Sequence, residues 1–215
     1  MRKFFAKTFM LSCICAVVIL ALFFLSYFVL SPAFADSYQK GFNYQYRALE
    51  RSADTPKIIV LGGSYMTFAT DSALLSKLSD MPSYTLGIHS GMGMCYIFET
   101  AEKFIKNGDI VVFSFRPFKQ NDYGMDLMYL SFENEPELFI DFLKAHPDAV
   151  VKSVAPSVYT KLYNRIYQKL RWMVLHKMGI EDSVYTAASF DKNTGNMIYP
   201  RPSIDPTIPL SEFEP

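Results

Sequence analysis

The sequence predicts an α/β fold, a parallel sheet with helical crossovers, set behind one membrane-spanning helix. Two observations carry this. Three short strand-like runs, Ile58–Leu61, Ser83–Leu86 and Ile110–Phe115, are separated by stretches of helical periodicity. Strand–helix–strand–helix–strand at this spacing folds as parallel strands joined by right-handed crossovers. Ahead of them an apolar stretch runs from about Phe9 to Leu30, preceded by Arg2, Lys3 and Lys7.

At 1.5 Å per residue that stretch makes about 30 Å of helix, enough to cross a bilayer. Positive charge before it and none immediately after predicts the N-terminus in the cytoplasm and the remainder outside. Ala33-Phe34-Ala35 has the small-x-small form of a cleavage site. The apolar core, however, exceeds the roughly 7–15 residues usual for a signal peptide. Residues 1–35 therefore read as an uncleaved signal anchor, with cleavage after Ala35 and secretion as the alternative. Most of the apolar core follows Cys13, so Cys13 does not read as a lipoprotein cysteine. Both readings put the domain outside the cytoplasm.

Residues 36–56 are polar and tyrosine-rich (Tyr38, Tyr44, Tyr46) and read as a stalk or short helix, broken by Asp54-Thr55-Pro56. The domain proper spans 57–190 and turns on KIIVLGGSYMTFATDS, Lys57 to Ser72. Its apolar run is long enough for a buried strand and too short for a helix. Gly62-Gly63 ends it abruptly, allows positive φ and close backbone approach, and presents Ser64 at the strand's C-terminal edge. In open α/β sheets that edge is where ligands bind. The plain alternative is a strand-to-helix turn that Ser64 merely caps. A phosphate loop is disfavoured, because no Walker Lys-Ser/Thr follows and GxGxxG is absent.

Asp71 or Thr70 can cap a helix through Ala73, Leu74, Leu75 and Leu78 that ends near Asp80-Met81-Pro82. The second strand runs into Gly87-Ile88-His89-Ser90-Gly91-Met92-Gly93, and a helix with Ile97, Ala101, Phe104 and Ile105 at helical spacing follows. Asn107-Gly108-Asp109 stops it before the third strand, which reads as fully apolar and buried. Pro136 suits the first turn of a helix with Leu138, Phe139, Phe142 and Leu143 as its stripe. A longer helix is expected between Pro156 and Gly179. It carries Lys161, Arg165, Lys169, Arg171 and Lys177, with Tyr159, Tyr163 and Tyr167 beside them. That flank is either a solvated face or a surface for anionic headgroups or an anionic polymer. Residues 191–215 read as an irregular proline-rich tail. Three strands make a thin parallel domain, so the chain is expected to stop before its fold does.

Composition narrows the function classes. With 21 basic and 21 acidic residues among 215, no global field points to nucleic acid. A hydrophobic content of 50% excludes disorder for most of the chain. Cys13 and Cys15 lie in the leader, leaving Cys95 alone beyond it, so no intramolecular disulfide framework forms there. No Cys/His cluster has zinc spacing. Cys95 itself reads as a structural thiol rather than a rival nucleophile.

From Lys57 to Phe118 the chain resembles the SGNH/GDSL hydrolase superfamily, in particular its membrane-anchored branch found with bacterial cell-envelope polysaccharide modification. The resemblance implies a three-layer α/β/α, flavodoxin-like domain, here incomplete at its C-terminus. Gly62-Gly63-Ser64 matches the first block, which makes Ser64 the implied nucleophile with Gly63 beside it. Leu86-Gly87-Ile88-His89-Ser90-Gly91 matches the second. It implies an oxyanion hole from the Ser64 and Gly87 amides, with Gly91 as runner-up for Gly87. Asn121-Asp122 is displaced from the third block's place, so Asn121 is given no oxyanion role. The last block, Asp-x-x-His, which would supply the base, occurs nowhere in the 215 residues. His89 is the histidine that could neighbour Ser64, whereas His146 and His176 sit where helix C-termini favour them.

The implied chemistry is serine esterase or O-acyltransferase action on an acylated envelope glycan, with no metal or organic cofactor. Without a base it is incomplete. The alternative is a non-catalytic anchored scaffold that binds glycan or a partner. Expected partners are the lipid bilayer, an acylated glycan or anionic envelope polymer and a membrane-bound acyl-donor protein, and not nucleic acid.

Overall fold

The computed structural model describes residues 1–25, 38–52, 54–114, 123–132, 135–148 and 186–198, with Tyr167, Leu170, Val174, Lys177 and Met178 from the intervening stretch. It is a mixed α/β structure with a three-stranded parallel sheet and one apolar N-terminal helix.

Helix α1 spans Arg2–Phe24, and its stretch Lys3–Leu22 is long and apolar enough to cross a membrane, with mean hydropathy 2.3. None of that stretch is buried against the rest of the chain, as suits a segment whose apolar side chains face lipid. Residues 26–30, the end of the expected span, and the Ala33–Ala35 motif lie outside the described residues.

The segment expected as a stalk or short helix packs on the domain. Residues Lys40–Arg51 form helix α2, and Phe42, Tyr46 and Leu49, at i, i+4 and i+7, place one face in the hydrophobic core with Tyr38. Phe42 and Leu49 are 0% exposed. Phe42 stacks on Tyr96, and Tyr46 meets Phe104 edge-on.

Strands β1 (Ile58–Leu61), β2 (Ser83–Leu86) and β3 (Ile110–Phe113) pair in the order β2-β1-β3, all parallel. Ile58 is level with Ser83 and Ile110, and Leu61 with Leu86 and Phe113. The three C-terminal ends therefore finish in line, and the chain leaves all three strands at one edge. β1, in the middle, is buried throughout. Ile59, Leu61 and Leu86 belong to the main core, which α2 and α5 (Met94–Glu102) also line.

The next helix arrives in two pieces, α3 (Ser64–Ala69) and α4 (Ser72–Ser79), separated by Thr70 and Asp71. Asp71 caps α4 by accepting from the Leu74 amide at 3.0 Å, and Asp80 ends it in the left-handed region. The apolar residues do not dock α4, since Leu74 and Leu78 are exposed. Its serines do: Ser72 Oγ lies 3.2 Å from Thr85 Oγ1, and Ser76 Oγ accepts from the Ser83 amide at 2.8 Å.

β3 departs from the expected buried strand. Ile110, Val112 and Phe113 are 49, 42 and 49% exposed, and Phe115 lies outside the described residues. Its foot is anchored by a buried pair, Lys57 Nζ donating to Asp109 Oδ2 at 2.9 Å. Asp109 Oδ1 also accepts from the Lys57 amide at 3.0 Å, and Oδ2 from the Lys106 amide at 2.9 Å.

Short helix α6 (Met125–Met128) and a 3₁₀ turn, Tyr129–Phe132, lead to α7 (Pro136–Ala145), which starts at proline as predicted and buries Leu138 and Phe142. Contacts cross the expected boundary at 190/191. Phe190 bridges to Met197, and both are buried, with the Phe190 ring against Tyr38 and the Gly41 backbone. The long basic helix and residues 199–215 lie outside the described residues, apart from the five isolated positions named above.

Candidate functional site

Three turns meet at the C-terminal edge of the sheet. β1 leaves through Gly62-Gly63 into Ser64, the first residue of α3. The expected positive φ is not used: Gly63 has φ −86° and ψ −163°, an extended conformation open to any residue, and Gly62 is not among the positive-φ glycines. Close packing is the reason for glycine instead. A Cβ at Gly63 would lie 3.0 Å from the Ser90 amide nitrogen and 3.2 Å from Ser90 Cβ. The positive φ belongs to Gly87, at +121°, where a Cβ would lie 1.8 Å from the Gly62 carbonyl oxygen. The turn after β1 and the loop after β2 thus pack closely at Gly62-Gly63 and Gly87.

Helix α3 ties the edge together. The Thr67 hydroxyl donates to the Gly87 carbonyl, and the Tyr65 hydroxyl donates to the Ser114 carbonyl, just past β3, at 3.2 Å. Short contacts from one six-residue helix therefore reach the exits of both neighbouring strands.

Ser64 is half-buried, and among the described residues neither its hydroxyl nor its backbone N–H has a hydrogen-bond partner. The two glycines proposed as oxyanion donors differ from expectation. The Gly87 N–H donates to Oε1 of Gln45, a buried residue of α2, at 3.0 Å. The Gly91 N–H donates to His89 Nδ1 at 2.9 Å. In this conformation both amides are committed.

His89 does lie in the loop after β2, where it caps the 3₁₀ turn Ser90–Met92. Because Nδ1 accepts from an amide, the neutral ring carries its proton on Nε2. A general base must offer a lone pair to the serine proton, and the lone pair of His89 is already engaged. The amide of Ser90, between these two, has no partner among the described residues.

The other predicted or weighed residues lie elsewhere or outside the described residues. Asn121 and His176 are not described. His146 caps the end of α7, as its position suggested, and its Nε2 lies 3.0 Å from Glu99 Oε2. Tyr123 donates to the other Glu99 oxygen, and burial, reinforced by that carboxylate, pushes its phenol pKa up. The His146 ring packs on Tyr123 and Phe142, 4.6 and 4.8 Å between centroids. Cys95 is a free, half-buried thiol in the first turn of α5. A cavity of about 340 Å³ lies between α5 and α7, lined by Tyr96, Glu99, Leu138, Asp141 and Phe142 among others, and includes none of the strand-edge residues. Among the described residues no group of three or more His, Cys, Asp or Glu side chains is placed to hold a metal ion.

Gln45, Tyr65, Thr67 and Ser90 escaped the sequence reading. Tyr65 and Thr67 stand one and three residues beyond the candidate nucleophile, and a short helix starting at Ser64 would have pointed to them. Nothing local marks Gln45, whose contact is with a loop 42 residues away.

No protein-family model, no curated protein and no solved structure matches this chain.

Proposed function

We propose that the chain is the anchored, SGNH-like part of a serine esterase or O-acyltransferase that acts on acyl groups of a cell-envelope glycan outside the cytoplasm. One observation carries the reading. Ser64, without a hydrogen-bond partner among the described residues, stands at the C-terminal edge of the central strand, directly after two glycines that pack on the loop of the neighbouring strand. That is where an α/β sheet offers a side chain to a ligand. Helix α1 supports the membrane tether, and Arg2, Lys3 and Lys7 at its start support a cytoplasmic N-terminus.

In the reaction, Ser64 Oγ bonds to the acyl carbonyl carbon while the carbonyl π pair moves onto oxygen, giving a tetrahedral oxyanion. The Oγ proton passes to a base from outside the described residues. The carbonyl re-forms as the ester C–O bond breaks, and the departing glycan oxygen takes a proton. Water or another sugar hydroxyl then takes the acyl group from Ser64. Preorganised amides stabilise such an oxyanion by a few kcal/mol each.

A second reading is an anchored scaffold that binds glycan or a membrane partner without turning it over. The committed Gly87 and Gly91 amides and the engaged lone pair of His89 favour it. A fluorophosphonate probe on the full chain in detergent separates the two. Covalent labelling that S64A abolishes is expected for the esterase reading, and an unlabelled, folded wild-type chain would leave the scaffold.

A further inference from the structure

We infer that the second oxyanion donor of this site is the backbone N–H of Ser90, and that Gly63 is glycine to keep that amide open. The inference rests on the serine-dependent reading above and replaces its glycine donor.

The amides at this edge of the sheet differ in what already holds them. An oxyanion hole needs N–H groups that are free before the reaction, because a donor already bonded must first break that bond. The Gly87 N–H is held by Gln45 Oε1 at 3.0 Å inside the core, where Gln45 is 1% exposed. Releasing it would strand a buried carbonyl oxygen, at a cost of about 1–3 kcal/mol. The Gly91 N–H is held by His89 Nδ1 at 2.9 Å. The Ser90 N–H lies between the two and makes no hydrogen bond among the described residues, and the same is true of the Ser64 N–H.

Position favours Ser90 as well. Its nitrogen lies 3.0 Å from where a Cβ on Gly63 would stand, so the amide sits beside the residue that precedes the nucleophile. The backbone of Gly63, at φ −86°, would accept any side chain without strain. What crowds a side chain there is Ser90, whose nitrogen is the nearest atom at 3.0 Å, with the Tyr65 ring at 3.2 Å. The two commitments around it then have a use: Gln45 and His89 grip the residues on either side and hold the loop that aims the Ser90 N–H.

The test uses the full chain in lipid nanodiscs, selectively ¹⁵N-labelled at serine and glycine, before and after reaction with a fluorophosphonate. The S90A variant serves only to assign the Ser90 amide, since its signal vanishes from the serine-labelled spectrum. In the Ser64 adduct the phosphonyl oxygen occupies the oxyanion position. The Ser64 and Ser90 amide protons should then move strongly downfield while those of Gly87 and Gly91 stay. G63A, with an unchanged thermal unfolding curve, should slow labelling by about 100-fold or more, the usual effect of losing one donor. A downfield shift at Gly87 or Gly91 with Ser90 unmoved would overturn the inference and leave the serine reading standing. G63A labelling at the wild-type rate would count against it equally. Absence of any Ser64 adduct removes the serine reading and this inference with it.

Discussion

Gly87 and Gly63 stand where the turn after β1 and the loop after β2 pack together, yet they are glycines for different reasons. At Gly87 both conformation and space demand it, with φ +121° and a Cβ position 1.8 Å from a carbonyl oxygen. Neither partner is a flexible side chain that can move aside. G87A should therefore lose about 3 kcal/mol or more of stability, by backbone strain and by forcing β1 and the loop after β2 apart. Urea unfolding of the purified variant measures this, and a loss below about 1 kcal/mol would contradict the geometry. The sequence showed that glycines cluster here. It did not show which of them uses positive φ, because φ is decided by the neighbour each turn must clear. In the same way the sequence locates His89 after the second strand, but the partner of its ring nitrogen depends on how the turn closes.

At the scale of elements, α2 shows how far local pattern reaches. Phe42, Tyr46 and Leu49 share one helical face, so a helix was legible in the sequence. Its destination was not, because the intervening asparagine, glutamine and arginine gave the segment the polarity of a linker. The structure buries that face against Tyr96 and Phe104. F42A should cost about 3–5 kcal/mol, as for other large-to-small changes in a core. In a solvated stalk the same change would stay within about 0.5 kcal/mol, and chemical denaturation tells the two apart. β3 makes the converse point. An unbroken apolar run reads as a strand buried on both faces, yet Ile110, Val112 and Phe113 remain about half exposed. Apolarity states what a strand can bury, and what packs on it settles what it does bury: β2, the other edge of the sheet, is mostly buried. Strand and helix order, the Asp71 cap and the proline start of α7 were all readable, since each rests on residues within one turn of each other.

Across the whole molecule, the Lys57–Asp109 pair clamps the foot of the sheet at the end opposite Ser64, joining residues 52 apart in the chain. Their side chains are 0 and 1% exposed. Burial alone would raise the Asp109 pKa. The hydrogen bond from Lys57 Nζ, those from the Lys106 and Lys57 amides and the nearby ammonium charge outweigh it, holding the carboxyl below the usual carboxylate range. A carboxyl depressed in the folded state contributes stability that is fully present above its unfolded pKa of about 3.9. That stability is lost as pH falls through the lower folded value. The unfolding free energy should accordingly hold steady from pH 7 to about 5 and fall below about pH 4. D109N should unfold more easily at pH 7, by about 3–5 kcal/mol, because it leaves a buried ammonium without its partner. It should also flatten the acid limb, and denaturant titrations of both proteins at several pH values check the two effects together.

The amino-acid sequence by itself determined the membrane-length apolar helix, the strand–helix order and the placing of Ser64 behind two glycines at a strand exit. Each of these is written in the periodicity and turn chemistry of neighbouring residues. Only the tertiary structure decided that α2 belongs to the core, that Lys57 and Asp109 are a buried pair, and that Gln45 and His89 hold the glycine amides while the Ser90 amide has no partner among the described residues. The physical reason is common to all three. A hydrogen bond or an apolar contact is settled by which groups the fold brings within about 3–4 Å, and the partners here, His89 and Gly91 excepted, come from distant parts of the chain.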